Sequence, residues 1–568
     1  MAKTNQETNE VAINSAIRVE NLDHLGIIAG LIDDIGIVEQ LDQRIGIDPR
    51  EKVSTGVVVK AMLLNGLGFV SAPLYLFEKF FAGQATEKLL GCGIKPEYLN
   101  DDRLGKVLDE LYDAGLSEIF LEISLQAANR FGVKQETAHL DSTSFHLEGK
   151  YEVAAQNSEP GMMEITYGYS RDKRPDLKQF VMNLICVGDG DIPVLMEIAS
   201  GNQSDKARFA GLLGEFKQQW TFEGLCIADG ALYSADNIKV MNGLQWLTRV
   251  PLSIKEASTL VSEVVELKPS TVEGYKLAES SSEYGGVRQR WILIESEQRR
   301  KSDLKRLAKK IEQHQQKSQQ KLKKLLNQEF ACIADAIGAA QKLSKKMTWH
   351  ELSDIQAVEK RHYDKAGKPS KDDVPNRISY GITAIVSPIE SEISAQNIRC
   401  GRFILASNVL DSEQLSADKV LREYKAQQGV ERGFRFLKDP LFFASSVFLK
   451  SPKRIAAQRV RADRRRKRRL EDVSLRGMIM SLCLLVYNLG QRQLRQALAA
   501  QAETIPDQLG QPTANPTLRW VFQCFMAVHL VVFQDVPQIV NLTSERRHIL
   551  QFFSKACLRY YLIPEPDF

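Results

Sequence analysis

Tyr424, Glu431 and Lys438 stand seven and seven residues apart in the stretch from Leu415 to Pro440. Seven residues is about two α-helical turns, so in a helix a phenol, a carboxylate and an ammonium line one face. Gln427 or Gln428 falls one turn before Glu431 on the same side. A polar stripe of these groups suits a metal ion and phosphates, not a hydrophobic core. Ser416 is placed to cap the helix, Asp418 lies in its first turn, and Asp439-Pro440 ends it because proline cannot continue the ladder. The spacing predicts one helix from Ser416 to Lys438.

Two further carboxylates gain meaning from the elements around them. Ala138 to His146, with Asp141 inside it, reads as a strand. After a Gly-, Asp- and Pro-rich connection come two β-rich runs, Gln179 to Val187 and Ile192 to Ala199, joined by the hairpin-turn composition Gly188-Asp-Gly-Asp191. A helix from about Ser204 to Trp220 follows, then the apolar strand Leu225 to Ala228 ending at Asp229-Gly230. A helix near Ser234 and a strand from Gln245 to Val250 complete the run. An antiparallel meander followed by α/β units matches a ribonuclease H-like core. In that fold Asp141, Asp229 and a carboxylate on a later helix, here Glu431, converge.

Three carboxylates at one site repel one another unless divalent cations neutralise them. Two Mg²⁺ ions (with Mn²⁺ as a substitute), about 3.5–4 Å apart, activate a water or 3′-hydroxyl and stabilise the leaving oxygen of a phosphodiester. Taken singly, each acid has a blander reading. Asp141 can cap a turn, Asp229-Gly230 is a routine turn pair, and a helical glutamate is ordinarily solvated. The order of elements and the flanking Tyr424 and Lys438 join them.

The bulk composition bounds the rest. The chain has 568 residues, 43% hydrophobic and 26% charged, the profile of a folded protein with room for several domains. Net charge is only +4, but eleven Lys/Arg against two acids lie between Arg299 and Leu326, and ten against one between Ser451 and Leu470. Such blocks are polyanion footprints or solvated helix faces. Eight scattered cysteines without a C-x-x-C pair argue for reduced thiols and against a zinc site. The polar segment Lys3 to Glu10 lacks the core of a signal peptide, and Gly477 to Leu489 is too short to span a bilayer. The expectation is a cytoplasmic protein without a membrane partner, nucleoid-associated when bound to DNA.

Several motifs, in order, resemble one family. The stretch Tyr424-x2-Gln427-x3-Glu431-x6-Lys438 resembles the Tyr-x2-Arg-x3-Glu-x6-Lys pattern of DDE transposases of bacterial insertion sequences. His139-Leu-Asp-Ser-Thr143, Gly168 to Gln179, Gly201-Asn-Gln-Ser-Asp205, Ala228-Asp-Gly230 and Gly433 to Pro440 look like the same group. The resemblance spans about residues 20 to 560. It implies catalytic and metal-binding roles for Asp141, Asp229 and Glu431, and DNA contacts for Tyr424 and Lys438. It further implies binding of terminal inverted repeats, metal-dependent cleavage, strand transfer to target DNA, and a homodimer in the DNA complex. Gln427 departs from the pattern: it keeps hydrogen bonds to phosphate but lacks the charge and fork of arginine. Arg435 or Arg432 is a substitute, although Arg432 faces a neighbouring side. Trp291, in a strand with Arg288 and Arg290, is a candidate to stack on a flipped base as an aromatic does in hairpin-forming relatives. A tryptophan so placed is more often core.

The expected organisation is α/β. A polar tail (1–20) precedes a helical, DNA-binding N-terminal domain (21–135) of five or six helices. The ribonuclease H-like core begins at 136–250 and is completed at 401–440, around a β-containing insertion with a long basic helix (251–400). A helical C-terminal region (441–568) carries a basic insert at 458–476, read as a DNA contact, a splaying insertion or a surface loop. Two other readings stand beside transposition: a structure-specific nuclease of ribonuclease H-like fold, and a catalytically silent DNA-binding protein descended from a transposase.

Overall fold

Leu25 to Ile35 is apolar on almost every side, which suits a helix inside a core rather than on its surface. The computed structural model describes residues 17–69, 76–147, 164–170, 174–220, 222–241, 243–364, 374–439, 462–534 and 536–562, without the side chains of 205–207 and 462–475. The chain divides into two units: Met1–Leu232, Val240–Gln245 and Lys425–Phe568 form the first, Tyr233–Lys239 and Trp246–Tyr424 the second.

The first unit opens with strand β1 (Arg18–Asn21) and seven helices. These are α1 (Leu25–Ile35), α2 (Ile37–Ile45), α3 (Thr55–Leu67), α4 (Phe77–Ala82), α5 (Thr86–Leu90), α6 (Asp101–Asp113) and α7 (Leu116–Arg130). Side-chain caps set two of the starts: Ser54 accepts the Val57 N–H and Asn100 the Arg103 N–H. Then come β2 (Thr137–Leu147), β3 (Lys178–Val187), β4 (Ile192–Ser200), α8 (Asp205–Trp220) and β5 (Leu225–Ala228). β2, β3 and β4 pair as an antiparallel meander, and β5 lies parallel to the other side of β2. The order β4-β3-β2-β5 is the ribonuclease H-like arrangement.

The second unit holds α9 (Ala235–Val240), β6 (Gln245–Arg249), α10 (Lys255–Leu260), β7 (Lys268–Pro269), β8 (Tyr275–Ser282) and β9 (Gln289–Ser296). An arm follows, made of α11 (Glu297–Leu326), α12 (Ile333–Ser344), β10 (His350–His362) and β11 (Arg377–Pro388). α13 (Glu390–Arg399), β12 (Arg402–Ser407) and α14 (Ala417–Ala426) close the unit. β6, β12, β9, β8 and β7 form an antiparallel sheet in that order. The arm has its own core: Leu322 and Leu325 of α11, Ala336 and Ala340 of α12, Met347, Leu352 of β10 and Ile382 of β11.

The chain re-enters the first unit at α15 (Gln428–Leu437) and α16 (Ala462–Gln501). The apolar segment expected at 478–489 is the middle of α16; Met478, Leu482, Cys483, Leu485, Val486 and Leu489 are fully buried. α16 packs on β4, α3 and α7, and so ties the N-terminal helices to the sheet. Of the basic insert, residues 458–461 lie outside the described residues, and from Ala462 the backbone is one helix with α16.

Past α16 the chain is not all helix. β13 (Ile505–Pro506) and β14 (Pro512–Thr513) form a small hairpin, and α17 (Leu518–Cys524) follows. β15 (His529–Phe533) and β16 (Val536–Val540) pair antiparallel, and β15 pairs with β1, so the expected polar tail ends as an edge strand. The Leu530-Val-Val-Phe533 run carries this switch, since β-branched and aromatic side chains suit a pleated surface. α18 (Ser544–Leu550) and α19 (Lys555–Tyr560) end the fold. α19 lies on α1, where a Cβ on Gly30 would sit 2.4 Å from the Cys557 Cα; only glycine permits this approach.

Candidate active site

β2 and β5 carry the two aspartates to one place. In their parallel register Leu140 is the partner of Ala228, so Asp141 and Asp229 are the next residues on neighbouring chains, about 4.8 Å apart at the backbone in a regular sheet. Both are half-buried. Asp141 Oδ1 accepts the Ser142 N–H at 2.8 Å, and Asp229 Oδ1 accepts the Ala231 N–H at 2.8 Å. Each bond fixes a carboxylate against its own backbone. A cleft of about 310 Å³ is lined by Ser142, Thr143, Ser144, Gln203 and Ala231 among others, the first and last of which lie one and two residues after the two aspartates.

The predicted helix 416–438 is two helices. Ser416 caps α14, accepting the Lys419 N–H at 3.2 Å, but α14 stops at Ala426 and α15 starts at Gln428. Gln427 sits at the junction, 7% exposed, and its Nε2 donates to the Leu140 carbonyl at 3.5 Å. Its amide therefore meets the protein's own backbone, one residue before Asp141, rather than standing in solvent. At the other end of α15 the Lys438 ammonium lies 5.5 Å from the centre of the Phe145 ring, a cation–π distance. Phe145 shares the Asp141 face of β2, four residues on. The two spans match: eleven helical residues and five strand residues each cover roughly 17 Å. Glu431, between the two anchors, is carried along the stretch of β2 that holds Asp141.

The β3–β4 turn holds α15 from below. Asp191, with φ +57°, pairs with Arg432 at 3.1 Å, and its carbonyl accepts the Asn488 side-chain N–H at 2.7 Å. Burial raises the Asp191 carboxyl above its usual range, and the Arg432 guanidinium offsets part of that. Gly429 rests directly on this carboxylate: a Cβ there would be 1.8 Å from Asp191 Oδ1. Asp189, two residues earlier, pairs with Arg492 at 2.6 Å, and Arg492 also donates to the Phe131 and Gly132 carbonyls. Burial alone would raise the Asp189 carboxyl, but Arg492 and the Lys134 N–H hold it below its usual range. The sequence offered Gly188-Asp-Gly-Asp191 as turn chemistry only. A local sign of close approach was the glycine at 429, with a second at 433, in a helical run.

The chain from residue 134 to 462 matches the family described as Transposase DDE domain. The chain belongs to the DDE transposases. Residues 17–125 match a second family, described as a domain of unknown function (DUF4277). None of the curated proteins compared matches the chain. Among solved structures it is similar to a piggyBac transposase in a synaptic complex with hairpin DNA, at 10% identity and a TM-score of 0.35, covering 96% of this chain and 83% of that one.

In this family member the donor set suits a hard cation. Asp141 and Asp229 supply carboxylate oxygens from adjacent chain positions, the ligand type Mg²⁺ takes. Among the described residues no three His, Cys, Asp or Glu side chains already form a chelating group, and Glu431 is exposed on α15. His139, on β2, is 1% exposed, and burial pushes its ring down to about 4, which makes it a neutral core group.

Arg435 is exposed on α15. Tyr424 is half-buried on α14, in the second unit. Trp291, also in the second unit, is 2% exposed; its indole N–H donates to the Tyr233 hydroxyl at 3.0 Å, and that hydroxyl donates to Gln289 Oε1 at 2.8 Å. The ring is packed inside the second unit and offers no face to a base. β9 is buried along almost its whole length, so this position takes a large apolar group whose N–H is satisfied. Among the described residues no helix is long and apolar enough to cross a membrane.

Proposed function

We propose that this chain is the transposase of an insertion sequence: it binds the element's terminal inverted repeats, cleaves the phosphodiester at each end, and joins the freed 3′-hydroxyls to target DNA. What supports this reading is the contact of Gln427 with the Leu140 carbonyl and of Lys438 with Phe145, which lays the helix bearing Glu431 beside the strand bearing Asp141. In this reading Asp141, Asp229 and Glu431 hold Mg²⁺, or Mn²⁺ in its place. The bound ions supply the activation of water or a 3′-hydroxyl and the stabilisation of the leaving oxygen. The protein's own part is positioning. The Ser142 and Ala231 N–H groups orient the two aspartates, and the β3–β4 turn seats the glutamate helix. Lys438 and Arg435 meet phosphates, and Tyr424 contacts the transposon end, as the Tyr-x2-Arg-x3-Glu-x6-Lys pattern implies. Gln427 stands in the Arg position of that pattern and acts through its bond to β2, as a positioning residue. Trp291 is a core residue in this reading. A homodimer holds two ends together.

A strand-transfer assay with Mg²⁺ and pre-cleaved terminal-repeat duplexes tests the proposal. Joining by the wild type and its loss in Glu431→Gln, with DNA binding retained, is the expected result. Joining that persists in Glu431→Gln sinks the metal-site assignment. Cleavage without joining identifies a structure-specific nuclease, and binding without either reaction identifies a silent DNA-binding protein.

A further inference from the structure

The arm is one of two strongly basic stretches of this chain, beside residues 451–470. From Glu297 to Pro388 there are twenty Lys/Arg and eleven Asp/Glu, a net +9, although the whole chain carries only +4. The remainder is therefore net negative. Within the arm the cations differ in how they are compensated. On the ribbon, Arg361 pairs with Glu359, and Arg377 and His362 with Glu329. At the start of α11, Arg299 and Arg306 share Asp303, and Arg300 pairs with Glu295.

Farther along α11 the pattern changes. Lys310, Lys317, Lys321 and Lys324 are exposed and are spaced seven, four and three apart, which puts them on one side of the helix. None has an acid three or four residues away. Among the described residues no ion pair uses any of the four. Their neighbours at those spacings are instead cations: Arg306 to Lys310, Lys317 to Lys321, and Lys321 to Lys324. Like charges so spaced oppose an isolated helix. An ordinary solvated face mixes both signs. The stripe is held because the adjoining face of α11, through Leu322 and Leu325, packs in the arm's own core. It covers roughly 21 Å at the helical rise.

We propose that this α11 stripe binds the phosphate backbone of duplex DNA without reading its sequence, and so serves DNA outside the terminal repeat as readily as the repeat. The proposal rests on the transposase reading for the presence of DNA. Four fixed cations over this length fit a helix that carries one charge per about 1.7 Å of axis. Ammonium groups on flexible stems are point charges suited to phosphates, which position a protein but carry no sequence information.

The test uses the full-length protein and fluorescent duplexes of equal length, one with the terminal repeat and one of random sequence. Affinity is measured against salt concentration for the wild type and for the fourfold variant Lys310→Gln, Lys317→Gln, Lys321→Gln, Lys324→Gln. Each lost phosphate contact removes about 0.9 from the log–log salt slope. The expected result is a slope shallower by roughly 3 to 4 on both duplexes, with an affinity loss of at least about tenfold at low salt. The fourfold Lys→Arg variant keeps the wild-type slope and shows that the arm is folded. An unchanged slope in the Gln variant overturns the proposal, as does a loss confined to the terminal repeat. If the wild type binds neither duplex, it is the transposase reading that fails.

Discussion

Replacing Gly429 by alanine separates catalysis from stability. The new Cβ would meet Asp191 Oδ1 at 1.8 Å and Cγ at 2.2 Å, whereas real Cβ contacts stay beyond 3.0 Å. About 1.2 Å of separation must be found. Asp191 is poorly placed to give it: it sits at φ +57° after Gly190 at φ +92°, its carbonyl is held by Asn488 and its carboxylate by Arg432. The first turn of α15 yields more easily, since the Gln427 contact to β2 is a long 3.5 Å. Overpacking costs about 1–3 kcal/mol, and the better helix propensity of alanine returns about 0.8–1.0 kcal/mol. Net stability therefore falls by no more than about 2 kcal/mol. Glu431, two residues on, moves with the turn, and a misplacement of about 1 Å costs on the order of 10²-fold in rate. Single-turnover strand transfer, read beside the thermal midpoint, checks this. In an Asp191→Gly background the same alanine meets no carboxylate and costs less than about tenfold. A Gly429→Ala enzyme with wild-type rate refutes the reasoning, and so does an equal loss in both backgrounds.

Three other outcomes are expected. His24 is fully buried, stacked on Phe522 and bonded through Nε2 to the Leu67 carbonyl, and burial pushes its ring down to about 4 from 6.5. The unfolded chain then binds more protons between those values, so stability is full above about 6.5, falls as pH drops and levels off near 4. At pH 5 the loss is about 2 kcal/mol, and denaturant midpoints of His24→Phe show a smaller pH dependence by that amount. Lys60 Nζ donates to Asp33 at 2.6 Å and to the Tyr560 hydroxyl at 2.8 Å, with the lysine only 5% exposed. Lys60→Met destabilises by about 2–3 kcal/mol, near the low end for a broken buried pair because Asp33 keeps some solvent, and Asp33→Asn in that background recovers part of it in chemical denaturation. Trp291→Phe loses one buried hydrogen bond and about 1 kcal/mol; terminal-repeat affinity stays at the wild-type value, and a selective loss of affinity would return Trp291 to the DNA interface.

Much of the core was legible because its signals are local. The hairpin at Gly188 to Asp191, the strand bearing Asp141 and the strand ending at Asp229 follow from alternation and turn chemistry, and the structure has them within a residue or two. The break at Gln427 was not legible. Heptad spacing reports a helical face but not the carboxylate that Gly429 must clear, which comes from a turn more than 200 positions earlier. The burial of Trp291 and the pairing of β1 with β15 escaped for the same reason: each depends on partners remote in sequence.

That last pairing has a consequence for how the protein is made. Among the described residues β1 pairs with the strand β15, the Leu22 and Asp23 N–H groups donate to the Val528 carbonyl, Tyr561 and Tyr560 donate to Asp23 and Asp33, and Lys60 donates to Tyr560. At ribosomal rates of about 5–20 residues per second, roughly half a minute to two minutes separates synthesis of α1 from that of its partners. Through that interval β1 and α1 lack the strand and helix that cover them in the folded protein. Translation that stops before residue 529 leaves β1 without this partner strand.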